Sequence, residues 1–406
     1  MTKTEAFRRP RFAGLHYAVI QALHWALLAI YYAFGATYLY ATGLSSFGTG
    51  LVLAVAGLLS AALQPPIATR ADRAARGAGA VRRWCLALLI PSCALMAALW
   101  LFAMPPWLHI GVFVLVWMLI MALMFLFNSL AMEYVNAGYP LNYGVGRAIG
   151  SLSFALGAYF YGRYIARFGA AALLPLASSL CALLLLALLL WRSPPIARRD
   201  AAPETTQKSG FVRRYPRFIA LVVSAILCLT PYCTVCNFLV RFVEPIGGGS
   251  VEVGTAIMIA ALCEVPIMFV SLLLCRRFGA HRLMILSAAM LSAKMLMIVL
   301  ARSVAGVYIA ELFQLLSYPL FLCVSVYYVN ALVSPQDRVR GQAVMTLAPL
   351  ISGATGALLG GFLLDALGVR TMLALSLAIS AVGSALMIVF TQRTETPAQT
   401  AVRSDP

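Results

Sequence analysis

The sequence predicts an all-α membrane protein with twelve transmembrane helices in two pseudo-symmetric six-helix bundles. Three observations predict it. Hydrophobic residues make up 62% of the chain and charged residues 11%, with a mean hydropathy of +0.91, more apolar surface than a soluble domain can bury. The apolar residues fall into twelve runs long enough to span a bilayer. One long polar segment, 192–216, divides those runs six and six.

The runs lie at roughly 13–40, 47–68, 83–104, 107–134, 145–167 and 169–191, then at 217–243, 250–275, 283–301, 304–333, 343–367 and 370–391. None alternates polar with apolar residues, which excludes a transmembrane barrel. The first run is too long for a signal-peptide core and reads as a span. The segment 192–216 is rich in Pro, Ala, Thr, Ser and Arg, and suits a flexible connector. The expected organisation is an N-terminal bundle over 1–191, a cytoplasmic linker over 192–216, and a C-terminal bundle with a tail over 217–406.

The net charge of +17 reports topology and not a nucleic-acid partner. Basic residues crowd the N-terminus, the segment around Arg70–Arg83, the linker, and the segments holding Arg276, Arg277, Arg282, Arg338 and Arg340. The intervening segments hold only Arg163, Arg167, Arg241, Arg302 and Arg370. This positive-inside bias places both termini in the cytoplasm of a bacterial-type inner membrane. The expected partners are the lipid bilayer and a small-molecule substrate, with the chain a monomer. The nine cysteines sit almost entirely inside spans and read as free thiols. Cys233 and Cys236 form C-x-x-C without a second ligand pair, so no metal site is expected. No phosphate-cradling loop and no nucleophile–base pair appears, so no enzyme activity and no catalytic residue is expected.

The two halves repeat. "LQPPI" (63–67) precedes "CEVPI" (263–267) by two hundred residues, and "YVNAGYPLNYGVGRA" (134–148) echoes "YVNALVSPQDRVRGQA" (328–343). Duplicated six-span halves are a transporter plan. Ionisable groups inside spans cost about 2.5–3.5 kcal/mol at a helix centre and mark interior paths. Glu133, Arg147, Glu264 and Lys294 stand out, with Glu311 shallower and Asp365 near a span end. A hairpin through "NAGYPLNYG" could bring Glu133 to Arg147, as a structural pair or as a polar clamp on a hydroxylated ligand. Lys294 could meet Glu264 from the neighbouring span, giving two groups with coupled protonation. His24, with Gln21 and Tyr32, places polar groups on one face of the first span. Asn128 and Trp117 of the fourth span are further substrate-binding candidates. The glycines at 353, 356, 360 and 361 suit close helix approach.

Along nearly its whole length the chain resembles the major facilitator superfamily. The loop "ATRADRAARGAGAVRR" (68–83) is similar to that superfamily's gating loop between spans two and three, with Asp72 and Arg73 matching best. "YGVGRAIGSLSFALGA" resembles the fifth-span signature of the oligosaccharide/nucleoside–proton symporter group, the lactose permease-like members. The resemblance implies substrate binding by Arg147 together with Glu133, and an aromatic sugar platform where Phe154 stands. "ALCEVPIMFVSLLLCRRFGAHRLMILSAAMLSAKML" resembles the same group's eighth and ninth spans. It implies proton coupling through Glu264, with Lys294 at the family's arginine position. The tenth-span stretch "LFQLLSYPLFL" aligns with the proton-binding region, but Gln314 replaces a histidine and Ser317 a glutamate, so the inherited relay cannot carry over whole.

These features imply a secondary transporter that imports a sugar, oligosaccharide or nucleoside, with a proton as coupling ion and no other cofactor. The alternatives are a proton-driven efflux antiporter for sugars or drugs, a metal-chelate (siderophore) permease, and a non-transporting membrane sensor.

Overall fold

The computed structural model describes residues 12–74, 79–137, 139, 141–194 and 210–393. Among these every regular element is helical, as hydrocarbon demands of a backbone that must satisfy its own polar groups. We number the spans α1 (Ala13–Ala41), α2 (Ser46–Ala74), α3 (Ala80–Leu101), α4 (Pro106–Asn136), α5 (Tyr143–Phe168) and α6 (Leu173–Leu190). The second set is α7 (Pro216–Val243), α8 (Ser250–Phe278), α9 (Ala280–Leu300) and α10 (Val304–Leu312 continuing as Tyr318–Leu332). The final helix, Arg338–Phe390, breaks at Gly368 (φ 74°, ψ 174°) into α11 (338–367) and α12 (369–390). A positive φ of this kind is open to glycine and closed to most other residues. Ten segments are long and apolar enough to cross a membrane, one of them being the joined α11–α12. The break at Gly368, together with α5, whose arginines lower its hydropathy, brings the spans to twelve.

The chain divides into two compact units: unit 1 holds 1–34 and 55–205, unit 2 holds 35–54 and 206–406. In unit 1, α3 packs on α4 and α6 around Tyr17, Cys85, Leu89, Leu126, Phe127, Leu130 and Leu188. The last carbonyls of α6, orphaned by helix geometry, are taken up by Arg82, whose guanidinium donates to Leu188 O (3.0 Å) and Leu189 O (2.6 Å). In unit 2, α7 packs against the joined α11–α12. Its core includes Phe218, Leu221, Cys228, Leu291, Phe321, Val324, Tyr328 and Met345. A serine seam stitches α9 to α12: Ser292 Oγ lies 2.7 Å from Ser384 Oγ, which donates to Ala288 O (2.7 Å). Such hydrogen bonds and small residues replace the hydrophobic drive that lipid removes. The exposed Leu186, Leu189, Leu190, Phe269, Leu273 and Val389 are the faces an apolar solvent would cover.

Two polar anchors hold the ends of unit 2. Asp365 of α11 accepts from the backbone N–H groups of Ser46 (3.1 Å) and Phe47 (2.7 Å). A carboxylate there satisfies two orphan donors and complements the positive end of α2's dipole. At the other end, the short turn Phe211–Arg214 is fastened to the segment before α11. Arg214 Nη1 donates to Asp337 Oδ2 (2.7 Å), and the Tyr215 hydroxyl reaches the same oxygen (3.1 Å). Burial pushes the Asp337 carboxyl up, but the bonds from Arg214 and Tyr215 outweigh it and hold it below its ordinary value.

Asp365→Ala removes the cap from α2 and is expected to cost about 0.5–2 kcal/mol, read as a lowered thermal midpoint in detergent. Because the Asp337 carboxyl is depressed, its anchor is fully formed above the ordinary carboxylate range and is lost only as pH falls below it. Amide exchange at residues 211–216, followed on acidification, should accelerate in that lower window and not near neutrality.

Candidate functional site

In unit 2 the polar residues of four helices converge on one ammonium. Lys294 of α9 is 4% exposed. Its Nζ donates to Glu311 Oε2 at 2.6 Å and to Gln314 Oε1 at 2.7 Å, both from α10. Since lysine only donates, Gln314 must turn its oxygen toward it. The amide NH2 then points the other way, donating to Tyr232 Oη of α7 (2.9 Å) and to Glu264 Oε1 of α8 (2.9 Å). Tyr232 stacks on Tyr318 (centroids 4.7 Å, interplanar 21°), and Lys294 Nζ lies 5.1 Å from the Tyr232 ring centroid.

The backbone makes this convergence possible. Pro319 has no N–H to give the Leu315 carbonyl one turn back, and its ring crowds that carbonyl, so α10 cannot run straight through. The chain tightens into a 3-10 turn at Phe313–Leu316, passes Ser317 at φ −101°, ψ −105°, and resumes with Phe321 N donating to Ser317 O (3.0 Å). Irregular backbone at this depth is tolerated because protein surrounds it; Gln314 and Ser317 are 1% and 0% exposed.

The structure corrects the expected direct contact between Glu264 and Lys294. Lys294 pairs with Glu311, and the uncharged Gln314 stands between it and Glu264 as a dipolar bridge. Glu311 was underweighted in the sequence, although Glu311 and Gln314 at i, i+3 share one helix face, the signal that could have promoted it.

Unit 1 presents a different surface along the seam of α1, α4 and α5. Arg147 lies with its guanidinium 4.0 Å from the Trp25 ring centroid, and Nη1 donates to Ser151 Oγ (2.9 Å). Gly150 permits this, since a Cβ there would stand 2.5 Å from the Trp25 ring. Trp25 meets Phe154 edge-on (6.1 Å), Tyr32 meets both Phe154 (6.4 Å) and Trp117 (5.1 Å), and Trp117 packs on Tyr31 (4.2 Å). Asn128 Oδ1 accepts from Gln21 Nε2 at 3.3 Å. The result is an aromatic wall beside a guanidinium and an amide, a surface able to stack a ring and hold its polar groups.

Two expectations in unit 1 are overturned. Glu133 does not pair with Arg147: it is turned toward Val81, Cys85 and Ser193, because it closes α4 on the side that packs against α3. His24 does not line the seam, being fully buried with Nε2 3.2 Å from Ile120 O and its ring edge-on to Phe127 (5.0 Å). The side chains of Asp72 and Arg73 lie outside the described residues. All nine cysteines are free thiols, and among the described residues no group of His, Cys, Asp or Glu could hold a metal.

Residues 15–375 match the family described as MFS_1 like. The chain belongs to that family. Its members are membrane transporters of the major facilitator superfamily and not enzymes, so the protein is a multi-pass transporter of a small molecule. A maltose permease of Geobacillus stearothermophilus is 29% identical over 348 residues, covering 83% of this chain and 85% of that protein. Among solved structures, the nucleoside transporter NupG superimposes with a TM-score of 0.75 at 14% identity, covering 94% of this chain and 100% of that one. A POT family transporter in complex with 5-aminolevulinic acid superimposes at 0.69 and 15% identity, covering 95% and 97%. The structural likenesses bear on the fold.

Removing one partner of the Lys294–Glu311 pair strands a buried charge. Lys294→Met alone should cost about 3–5 kcal/mol, whereas Lys294→Met combined with Glu311→Leu should recover most of it. Thermal unfolding of the two variants checks this. Gly150→Ala should lose about 1–3 kcal/mol through collision with Trp25, visible as a lower midpoint in the same measurement.

Proposed function

We propose that the protein is a proton-coupled symporter that imports a small polar organic solute, a sugar, oligosaccharide or nucleoside, by alternating access. The observation that carries the coupling is the charge balance of the unit 2 network. It holds one ammonium, Lys294, and two carboxylates, Glu311 and Glu264, joined through Gln314. With both acids ionised it carries one negative charge in excess, and one bound proton makes it neutral. A charge imbalance is costly in a low-dielectric interior, so taking up or releasing one proton is the step that biases a two-state protein. Glu264 is the partly exposed member and the entry point from water. Protonating it weakens its claim on the Gln314 amide and so reaches Lys294.

The solute class rests on two supports. The maltose permease and the nucleoside transporter NupG lend it by likeness. The Trp25, Phe154 and Tyr32 rings, backed by the buried Trp117, stand beside Arg147 and Asn128 and suit a ring with hydroxyl groups at its rim. On this reading the protein works as a monomer in the cytoplasmic membrane with both termini inside, and the linker 192–216 joins the two bundles.

Proteoliposomes with an imposed inside-alkaline gradient should accumulate a member of a panel of oligosaccharides and nucleosides. Gradient-driven efflux would reverse the direction, and the absence of any gradient-dependent flux would sink the reading. Glu264→Gln should keep solute exchange and lose uphill accumulation; intact accumulation would remove Glu264 from the coupling path. Arg147→Lys, which loses the bidentate fork, should raise the solute KM about tenfold, or about 1.4 kcal/mol.

A further inference from the structure

Glu133 occupies the last turn of α4, at the end of unit 1 where the chain leaves for the linker. It is 5% exposed, and neither Oε1 nor Oε2 has a hydrogen-bond partner. The nearest donors, the Ser193 hydroxyl and the Val81 N–H, face it without closing a bond. Ser193 Oγ and Trp191 Nε1 at the start of the linker are themselves buried and unpartnered. The neighbouring residue Tyr134 clamps the same segment, donating to Arg192 O (2.5 Å), while its ring packs on Trp191 (5.2 Å).

The titratable and charged groups on the elements packed here are these. On α3, Cys85 brings a thiol to Glu133, and Arg82 is committed to the carbonyls of Leu188 and Leu189. Arg192 at the linker start is exposed. On α1, His16 Nε2 lies 2.7 Å from Ala187 O, and the Tyr17 hydroxyl accepts from Gln21 (2.5 Å). Among the described residues, no ion pair includes Glu133. An ionised carboxylate this buried, with no hydrogen bond closed and no ion pair among the described residues, is strongly disfavoured, and such a group takes up a proton instead.

We infer that Glu133 is a proton-binding site of unit 1, occupied in this conformation, separate from the Lys294 network, and linked to the seating of the linker's first residues. The neutral acid matches its apolar surroundings. Once the proton leaves, the carboxylate must recruit donors, and those within reach are Ser193 Oγ and the Val81 N–H. Drawing in Ser193 moves the segment that Tyr134 and Trp191 anchor. Loss of a proton at the end of α4 is thereby converted into a shift at the root of the connector.

The test uses the purified full-length protein and needs no transported solute, so its failure is distinct from failure of the symporter reading. Infrared difference spectra between acidic and alkaline buffer should show the C=O stretch of a buried protonated carboxyl that is lost in Glu133→Gln and kept in Glu264→Gln. Superimposable spectra of wild type and Glu133→Gln would overturn the assignment. Thermal midpoints give a second readout. The folded state holds the proton, whereas an unfolded carboxyl releases it in the ordinary acidic range. Stability at this site is therefore full in acid and falls as pH rises. Glu133→Gln should equal wild type in acid and exceed it in alkali by a margin that grows with pH. A variant equally destabilised at every pH, or one that does not fold, would mark Glu133 as an ionised structural group and overturn the proposal, because glutamine reproduces the neutral acid's shape.

Discussion

No ion enters hydrocarbon unless the same chain brings its counter-ion and its hydrogen-bond partners. Lys294 obeys that constraint, and unit 2 is organised around its obedience. The ammonium needs acceptors on a neighbouring helix, and Glu311 and Gln314, about one turn apart on α10, supply a carboxylate and an amide. Pro319 forces the 3-10 turn at Phe313–Leu316, and the turn seats Gln314 between Lys294 and Glu264. One helix irregularity therefore ties α7, α8, α9 and α10 into a single polar circuit. The stacked Tyr232–Tyr318 pair closes it against the apolar core.

Unit 1 meets the same constraint by different means. Its Arg147 guanidinium lies over the Trp25 indole face, a polarisable surface that favours a cation. Its carboxylate, Glu133, forms no ion pair among the described residues. The two units thus share a helical plan and differ in what they bury: aromatic rings beside a guanidinium in one, a hydrogen-bonded charge circuit in the other. The echoes between 134–148 and 328–343 report common architecture, while the buried ions in each half have diverged.

The twelve spans were legible because their signals are additive, each residue contributing to a hydropathy or charge count that tolerates local noise. The anomaly of Lys294 was legible for the same reason, since one ammonium in an apolar helix needs no alignment to notice. Its partner was not. Choosing between Glu264 and Glu311 requires the rotational phase of α8 against α10, and α10 loses helical phase in the very turn that carries Gln314. The placement of Glu133 failed similarly. The hairpin length allowed contact with Arg147, but whether a residue at the end of α4 faces α5 or α3 is set by a few tens of degrees of rotation. His24 showed a third limit: a polar residue on an inward face can be wholly occupied by a neighbouring helix carbonyl.

The turns at Gly279 and Gly368 bear on how such a circuit could work mechanically. Each joins two spans through a single residue at positive φ, Phe278 to Ala280 and α11 to α12. A one-residue joint has no slack, so α8 cannot slide along α9, nor α11 along α12, without breaking backbone geometry. Glu264 and Lys294 therefore ride on one stiff hairpin, and their separation is nearly a fixed length. α10 is joined by no such turn, and its ladder of backbone bonds is interrupted beside Gln314. In mechanical terms the circuit has a rigid frame and one compliant member, and the compliant member is the one that carries Glu311.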